Sequence, residues 1–404
     1  MQRREAIAAG SCLAAALASG CLETLRREDA WRELVADPPE GIYVPPHADG
    51  MVTYGTATAA GRKISLMATR PHSFWPVTDA ERSRADVRSR HAVHLMVDVR
   101  DSEAGAIVPA PVTTSIRRGG TAEASDGRNG AADRDPIDRR SLWPMLSQRM
   151  GPHYGDNVAL DGDGTYTATV QVGPTNADVI GPLSDELERS TSVDDALEFE
   201  FEFEYEAAEI DAIERRLIDE DEGRGEPGAL EPMRDHAGGD HGHDHEPSDE
   251  QQQDDSDGES DADRDEHAAS PFGFDDATRV GSETSDDITY IAAVVEDEDR
   301  TDADTAALAV TARTAYNQYT LPFASLIIEL SQNGDRLASG PLRETIDSRT
   351  GHHYRTRVDP VALVRADELA IGLETTPQVA RHEGYETAFF QPDSVTLPMP
   401  LAFE

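Results

Sequence analysis

The stretch Leu197–Tyr205 reads Leu-Glu-Phe-Glu-Phe-Glu-Phe-Glu-Tyr and alternates apolar and acidic side chains without a break. Successive side chains of a β-strand point to opposite faces, so this pattern predicts a strand with aromatic rings on a core and glutamates in water. Shorter alternating stretches lie at Ile64–Thr69, Val93–Val99 and Thr165–Val172, separated by segments rich in Gly, Pro and Asp. Strands at this spacing predict an all-β fold of the sandwich type.

The second half of the chain repeats the first. The matched stretches are Val93–Val99 with Ala324–Leu330, and Gly151–Tyr154 with Gly351–Tyr354. In this alignment Ser325 stands where the first copy has His94. The repeat predicts two immunoglobulin-like β-sandwich domains, over residues 41–218 and 283–404, of which the second is a degenerate copy of the first.

The segment 219–282 differs in composition from both copies. Residues 219–270 contain 20 acidic and 3 basic side chains and few apolar ones. Such a segment cannot bury enough apolar surface to offset its ordering entropy, so we expect a disordered acidic linker. It also carries four closely spaced histidines, which indicate either low-affinity metal collection or a merely solvated linker. These are His236, His241, His243 and His245.

The formal net charge is −43, and Lys63 is the only lysine. So acidic a chain would repel phosphates, which argues against nucleic acid as a partner. A dense carboxylate surface that stays hydrated in salt resembles that of proteins from extreme halophiles. We therefore interpret the acidity as adaptation to the solvent.

The N-terminus has the features of an export signal. Paired arginines, Arg3 and Arg4, precede a short apolar stretch that ends in Leu-Ala-Ser-Gly-Cys at Cys21. This resembles a twin-arginine (Tat) signal over residues 1–21 with a lipoprotein processing site, so we expect Cys21 to be lipidated. Residues 22–40 would then tether an extracytoplasmic protein to the outer face of the cell membrane.

Metal-binding residue types gather in the first copy. His94 and Met96 share one strand face, and Met145, Met150 and His153 follow close together. Imidazole and thioether form a soft-to-borderline ligand set that suits copper. Taken singly, a methionine is more often a core residue and a strand histidine more often a hydrogen-bonded one.

Three motifs carry a family resemblance: His94-Leu-x-x-Asp98, Trp143-Pro-Met145 and Gly151-Pro-His-Tyr-Gly-Asp-Asn157. They resemble the periplasmic ferrous-iron transport protein family, and the two-domain arrangement is similar to that of haloarchaeal lipoproteins. The resemblance implies an immunoglobulin-like sandwich that binds copper through His94, Met145 and His153 together with a later histidine, with iron bound nearby through carboxylates. It also implies a homodimer. The internal repeat suggests an alternative, an internal pseudo-dimer in which the second domain replaces the partner.

The sequence departs from the family at Met96 and Met150, where the family has a glutamate and an aspartate. Thioether in place of carboxylate should weaken iron binding and favour Cu(I), so Met96 and Met150 join the candidate ligands. The later histidine has no clear counterpart, and the linker histidines are only one candidate source of it.

Three classes of function follow from these patterns. The first is a membrane-tethered metal-binding protein that captures iron or copper ions for a membrane permease. The alternative is a structural or interaction lipoprotein in which His94 and His153 only pack. An enzyme is not indicated, because the sequence has no nucleophile elbow, phosphate loop or His-Glu-x-x-His motif.

Overall fold

The computed structural model describes residues 37–119, 135–180, 196–233, 277–296, 306–347, 350–390 and 392–400. These ranges are almost entirely β-structure, with two short helices, α1 (Ala207–Ala212) and α2 (Pro360–Arg365). No helix within them is long and apolar enough to cross a membrane.

The strands of the first half are β1 (His47–Asp49), β2 (Val52–Ala59), β3 (Arg62–Thr69), β4 (Val77–Thr78), β5 (Glu81–Arg82), β6 (His91–Asp101), β7 (Val112–Arg118), β8 (Asp138–Ser141), β9 (Trp143–Ser147), β10 (Gly151–Ala159), β11 (Gly164–Val172), β12 (Asp178–Ile180), β13 (Leu197–Tyr205) and β14 (Arg215–Leu217). Those of the second half are β15 (Thr278–Ser285), β16 (Ile288–Glu296), β17 (Ala306–Thr314), β18 (Ser325–Gln332), β19 (Asp335–Pro341), β20 (Arg343–Asp347), β21 (Gly351–Val358), β22 (Glu368–Thr375), β23 (Ala380–Arg381) and β24 (Val395–Pro398).

The first sandwich packs a sheet of order β2-β3-β6-β10-β9 against a sheet of order β13-β11-β7-β8. Phe199, Phe201 and Phe203 of β13 are buried between the sheets, while the glutamates that alternate with them are exposed. Burying each ring contributes roughly 1.5–3 kcal/mol, which explains why the alternation alone predicts this strand. The prediction of an all-β sandwich fold is confirmed.

The second sandwich has the same strand order. Its sheets run β15-β16-β17-β21-β20 and β24-β22-β18-β19, which corresponds strand for strand to the first half. The strand that corresponds to β6 is therefore β17, and Ala307 occupies the place of His94. The alignment that set Ser325 opposite His94 was wrong, because short apolar strands resemble one another in sequence and only the neighbouring strands fix their place.

The two sandwiches exchange short strands. After β11 the chain forms β12, which pairs in parallel with β20 of the second half. After β22 it forms β23, which pairs in parallel with β9 of the first half, so that Ala380 lies opposite Met145. Each half thus completes the edge of the other's larger sheet, and the segment after β23 reaches the first sandwich.

Residues 219–233, which composition assigns to the linker, lie against the first sandwich instead. The Gly225 amide donates to the Val44 carbonyl at 2.8 Å, and the Met233 amide donates to the Arg149 carbonyl at 2.8 Å. Their backbone hydrogen bonds hold a segment whose side chains bury little apolar surface. The histidines of the predicted linker, His236 to His245, lie outside the described residues, as does Cys21.

Candidate metal centre

The outer face of the first sandwich's larger sheet is covered, although it points away from the core. His94 is completely buried and Met96 is 3% exposed. Two segments cover them: residues 72–85, which include the β4–β5 hairpin, and residues 376–390 of the second half, which include β23. The Trp75 amide donates to the Arg381 carbonyl at 2.9 Å, which joins these two segments to each other. Alternation in β6 therefore separates two buried faces, one apolar and one that carries imidazole and thioether.

Four imidazoles meet under this cover. The ring of His72 lies 4.0 Å from that of His94 and 4.6 Å from that of His382, measured between centroids. The His382 ring lies 5.6 Å from that of His153 and 6.0 Å from that of His94. We call these four side chains the imidazole cluster. Three of them come from the first half, and His382 comes from the exchanged segment.

Three of the four rings are held through Nδ1. In His94 this atom is 3.1 Å from Asn157 Oδ1, in His153 it is 2.8 Å from the Gly151 carbonyl, and in His72 it is 3.2 Å from the Arg70 carbonyl. Such contacts fix the ring orientation and leave Nε2 with a lone pair, as in ligating histidines. All four Nε2 atoms of the cluster are buried and make no hydrogen bond.

A buried polar atom without a partner is costly, and four of them at one place call for a ligand. Burial lowers the pKa of His72 and of His153 to about 4, and it lowers those of His94 and His382 well below the ordinary value. His72 retains some exposed surface, but its Nε2 is sealed. The rings are therefore neutral at pH 7, which is the form that binds a metal ion.

Gly155 makes room for the ligands that come from different strands. A Cβ at this position would stand 2.7 Å from His94 Nε2 and 2.7 Å from Met145 Sδ. Both donor atoms therefore crowd the space over the Gly155 backbone. Met145 lies opposite His153 in the β9–β10 ladder, so their side chains share one face of the sheet.

The loop that carries His382 is fixed from both sides. The Arg381 guanidinium is buried and donates to Thr376 Oγ1 at 2.7 Å and to the carbonyls of Pro377 and Ala388. Gly384 has a φ of +89°, and a Cβ there would stand 2.2 Å from Gln148 Nε2. Only glycine fits at this close approach of the second half to the first.

In the described ranges, no group of three or more His, Cys, Asp or Glu side chains is placed so that it could hold a metal ion as it stands. To hold an ion, rings of the cluster would have to leave orientations that the Nδ1 contacts of His72, His94 and His153 now fix.

The predicted site residues separate into two groups. The structure brings His94, Met145 and His153 together. Met96 and Met150 do not join them but line a neighbouring cavity of about 140 Å³, which also borders His72 and His382. We call this space the methionine cavity.

Sequence reasoning missed His72 and His382. His72 follows a strand in an irregular segment, and His382 stands alone in the second half. Only the exchange of strands brings His382 to the first sandwich, and no local pattern signals that exchange.

Comparison with known families supports the motif-based resemblance. Residues 131–207, which include Met145 and His153, match the family described as Fe2+ transport protein. The predicted similarity to this family is confirmed for residues 131–207. Residues 275–398 match a family described as a domain of unknown function. No curated protein matches the chain.

Several solved structures of bacterial proteins match part of this chain. FetP from uropathogenic Escherichia coli strain F11 is 16% identical, with a TM-score of 0.24, and the alignment covers 40% of this chain and 96% of FetP. The copper-reconstituted P19 protein from Campylobacter jejuni is 19% identical, with a TM-score of 0.25 and coverage of 39% and 96%. A copper-bound variant of the same protein is 19% identical, with a TM-score of 0.26 and coverage of 39% and 98%.

Proposed function

We propose that this chain is an extracytoplasmic metal-binding protein that holds a copper ion at His94, Met145, His153 and His382 and serves the uptake of copper or iron. The observation that carries the proposal is the set of four buried Nε2 atoms without hydrogen-bond partners, three of which belong to the proposed ligands His94, His153 and His382. Nothing in the sandwich fold needs such a cluster, since each sealed nitrogen lowers stability until an ion binds it.

The donor set selects the ion. Imidazole suits copper, iron and zinc, whereas a thioether is a soft ligand that favours Cu(I). The hydrogen bonds at Nδ1 of His94 and His153 orient the rings and raise their basicity. A site of three imidazoles and one thioether can therefore hold copper in either oxidation state. The match to the Fe2+ transport family keeps iron in the proposal as a second cargo.

The acidic surface supports a role in capture. A formal charge of −43 raises the local concentration of cations around the protein. A lipid on Cys21 would keep the protein at the membrane, where a metal permease would receive the ion. The anchor and the permease are parts of the proposal that rest on the export-signal pattern.

We also propose that one chain is sufficient for the site. His382 arrives from the second half through β23, so the second sandwich supplies what a partner subunit would supply in a homodimer. The chain is then an internal pseudo-dimer with one copper site.

Copper titration of the full chain tests the proposed function. We expect one tightly bound Cu(II) per chain, lost in His94→Ala and in His153→Ala. The matched control is His353→Ala, since His353 is also buried and its Nδ1 lies 3.1 Å from the Gly351 carbonyl, but it lies in the second half. Equal loss of copper in all three variants, or no tight copper in the wild-type chain, would contradict the proposal.

A further inference from the structure

The methionine cavity has a donor set of its own. Four of the chain's eight methionines line it: Met51, Met96, Met150 and Met233. Met96 is buried at its inner end, while the other three are partly exposed. His72 and His382 also border it, and the sealed Nε2 of each has no hydrogen-bond partner. Methionines that serve only as core residues pack against other apolar side chains. These four instead border an open space next to two imidazole nitrogens without hydrogen-bond partners.

The chain segments that bring the methionines together are tied by Arg149. Its carbonyl accepts a hydrogen bond from the Met233 amide at 2.8 Å, and its guanidinium donates to the Asp49 carbonyl at 2.9 Å. Met150 follows Arg149 directly, and Met51 lies two residues after Asp49. Three distant segments therefore present their thioethers around one cavity, although no single one of them requires this for its own fold.

The carboxylates that border the same cavity already have partners. Asp49 forms a two-point ion pair with Arg215, with distances of 2.5 and 2.6 Å. Glu383 accepts a hydrogen bond from the Arg149 amide at 3.0 Å, and Glu386 accepts one from the Gly384 amide at 3.0 Å. A hard divalent ion, which prefers oxygen ligands, would have to displace these contacts.

We propose that the methionine cavity is a second metal site, specific for a soft monovalent ion such as Cu(I), and that it is the entrance to the imidazole cluster. Thioether and neutral imidazole are the ligands that such an ion prefers. The exposed methionines meet the solvent, and His382 borders both the cavity and the cluster, so an ion can pass from sulfur to nitrogen ligands inside the chain. This inference rests on the proposed function of the imidazole cluster.

Titration with Ag(I), a stable substitute for Cu(I), tests this on the full chain labelled with ¹³C at the methionine methyl groups. We expect the methyl signals of Met51, Met96, Met150 and Met233 to shift together. Met145 reports the imidazole cluster separately. Met399 is buried in the second sandwich core and is the internal control that stays unchanged.

The matched variant replaces Met51, Met150 and Met233 by leucine, which conserves volume and apolar character. We expect it to lose the Ag(I)-induced shift of Met96, to keep that of Met145 and to load Met145 at least about tenfold more slowly. Met399→Leu should change none of these readouts.

The outcomes separate the two proposals. If Met145 shifts and the cavity methionines do not, the second site is wrong and the copper site stands. If the cavity methionines shift and Met145 does not, the imidazole cluster does not bind silver. The methionine cavity then cannot be its entrance. An unchanged loading rate in the triple variant would likewise overturn the entrance.

Discussion

The two halves of this chain have the same strand order and the same exchange of edge strands, yet the imidazole cluster lies on the first of them. At corresponding positions the first half has His94, Met145, His153, Gly155 and His382. The second half has Ala307, Thr345, His353, Arg355 and Ile180 in their place. One imidazole survives, held by the same backbone contact to the glycine that begins the strand.

The space at the corresponding edge of the second half is larger and positively charged. A cavity of about 670 Å³ there is bordered by Arg343, Arg355 and Arg357. Guanidinium groups repel metal cations, whereas the imidazole cluster of the first half is neutral. The fold therefore supplies the location of the cavity, while a few side chains determine what can bind there. The second half contributes His382 to the imidazole cluster of the first.

The largest effect should come from removing the ligand that crosses between the halves. We expect His382→Ala to weaken Cu(II) binding by at least roughly 100-fold, since loss of a ligand should exceed the 10–100-fold loss that follows removal of a supporting residue. Ile180→Ala, at the corresponding position of the second half, should leave the affinity unchanged. Isothermal titration of both variants measures the difference.

Mixing two variant chains tests whether the complete site lies within one chain. If the site lies within one chain, a mixture of His94→Ala and His382→Ala chains contains no intact site and binds no tight copper. If copies of the chain instead exchange their second halves, the mixture regenerates intact sites, and copper binding would return. Sedimentation of the wild-type chain should show a monomer with one copper.

The sequence predicted those parts of the candidate site whose signals lie within one short stretch of the chain, and it missed those that depend on distant segments. The strand β13 and the shared face of His94 and Met96 follow from alternation, which needs no knowledge of distant segments. Burial of that face does not follow, because its cover comes from residues 72–85 and from residues 376–390. His382 lies 229 positions after His153, and only the strand exchange makes them neighbours.

The internal repeat was also predicted correctly only where its sequence signal is local. The Gly-x-His-Tyr motif located β10 and β21 correctly, since its glycine has a positive φ in both copies. The alignment of β6 with β18 was wrong, because nothing in an apolar strand records which strands lie beside it. The metal roles of Met96 and Met150 stay predictions, now attached to the methionine cavity.

The next largest effect on copper affinity should come from adding one methyl group at Gly155 in the first half. Gly155→Ala places a Cβ against His94 Nε2, Met145 Sδ and the Leu95 carbonyl. We expect copper affinity to fall about tenfold and the free energy of unfolding to fall by about 1–2 kcal/mol, as for other overpacking changes. Gly340→Ala in β19 is the control, since a Cβ there meets nothing within 4 Å. Copper titration and urea unfolding measure both quantities.

Acid should destabilise the copper-free protein through the imidazole cluster. The pKa of His153 is about 4 in the folded chain and 6.5 in the unfolded chain, so the unfolded state binds more protons between these values. The free energy of unfolding then falls as pH drops from 6.5 to 4, by about 3 kcal/mol for His153 alone. The other three rings add to this, whereas the second half contributes chiefly His353, whose pKa burial lowers to about 3.

Tryptophan fluorescence can measure the acid-induced unfolding of the first half separately from that of the second. All three tryptophans of the chain precede residue 150, so their fluorescence reports the first half. We expect the fluorescence transition to move to lower pH when copper is bound, because the ion competes with protons for the same nitrogens. The His353→Gln chain should keep this copper-dependent shift, and a shift that disappeared in it would place the copper in the second half.

The smallest effect should come from the exposed ion pair at the other exchanged strand. Arg343 Nε lies 3.1 Å from Asp178 Oδ2, and both side chains are at least half exposed. Exposed pairs contribute about 0–1 kcal/mol and are screened by salt, so Asp178→Asn should lower the free energy of unfolding by less than about 1 kcal/mol. Copper affinity should not change, because β12 carries no ligand. A larger loss, or any loss of copper, would show that the exchange of β12 and that of β23 depend on each other, and that the second half supports the metal centre through more than His382.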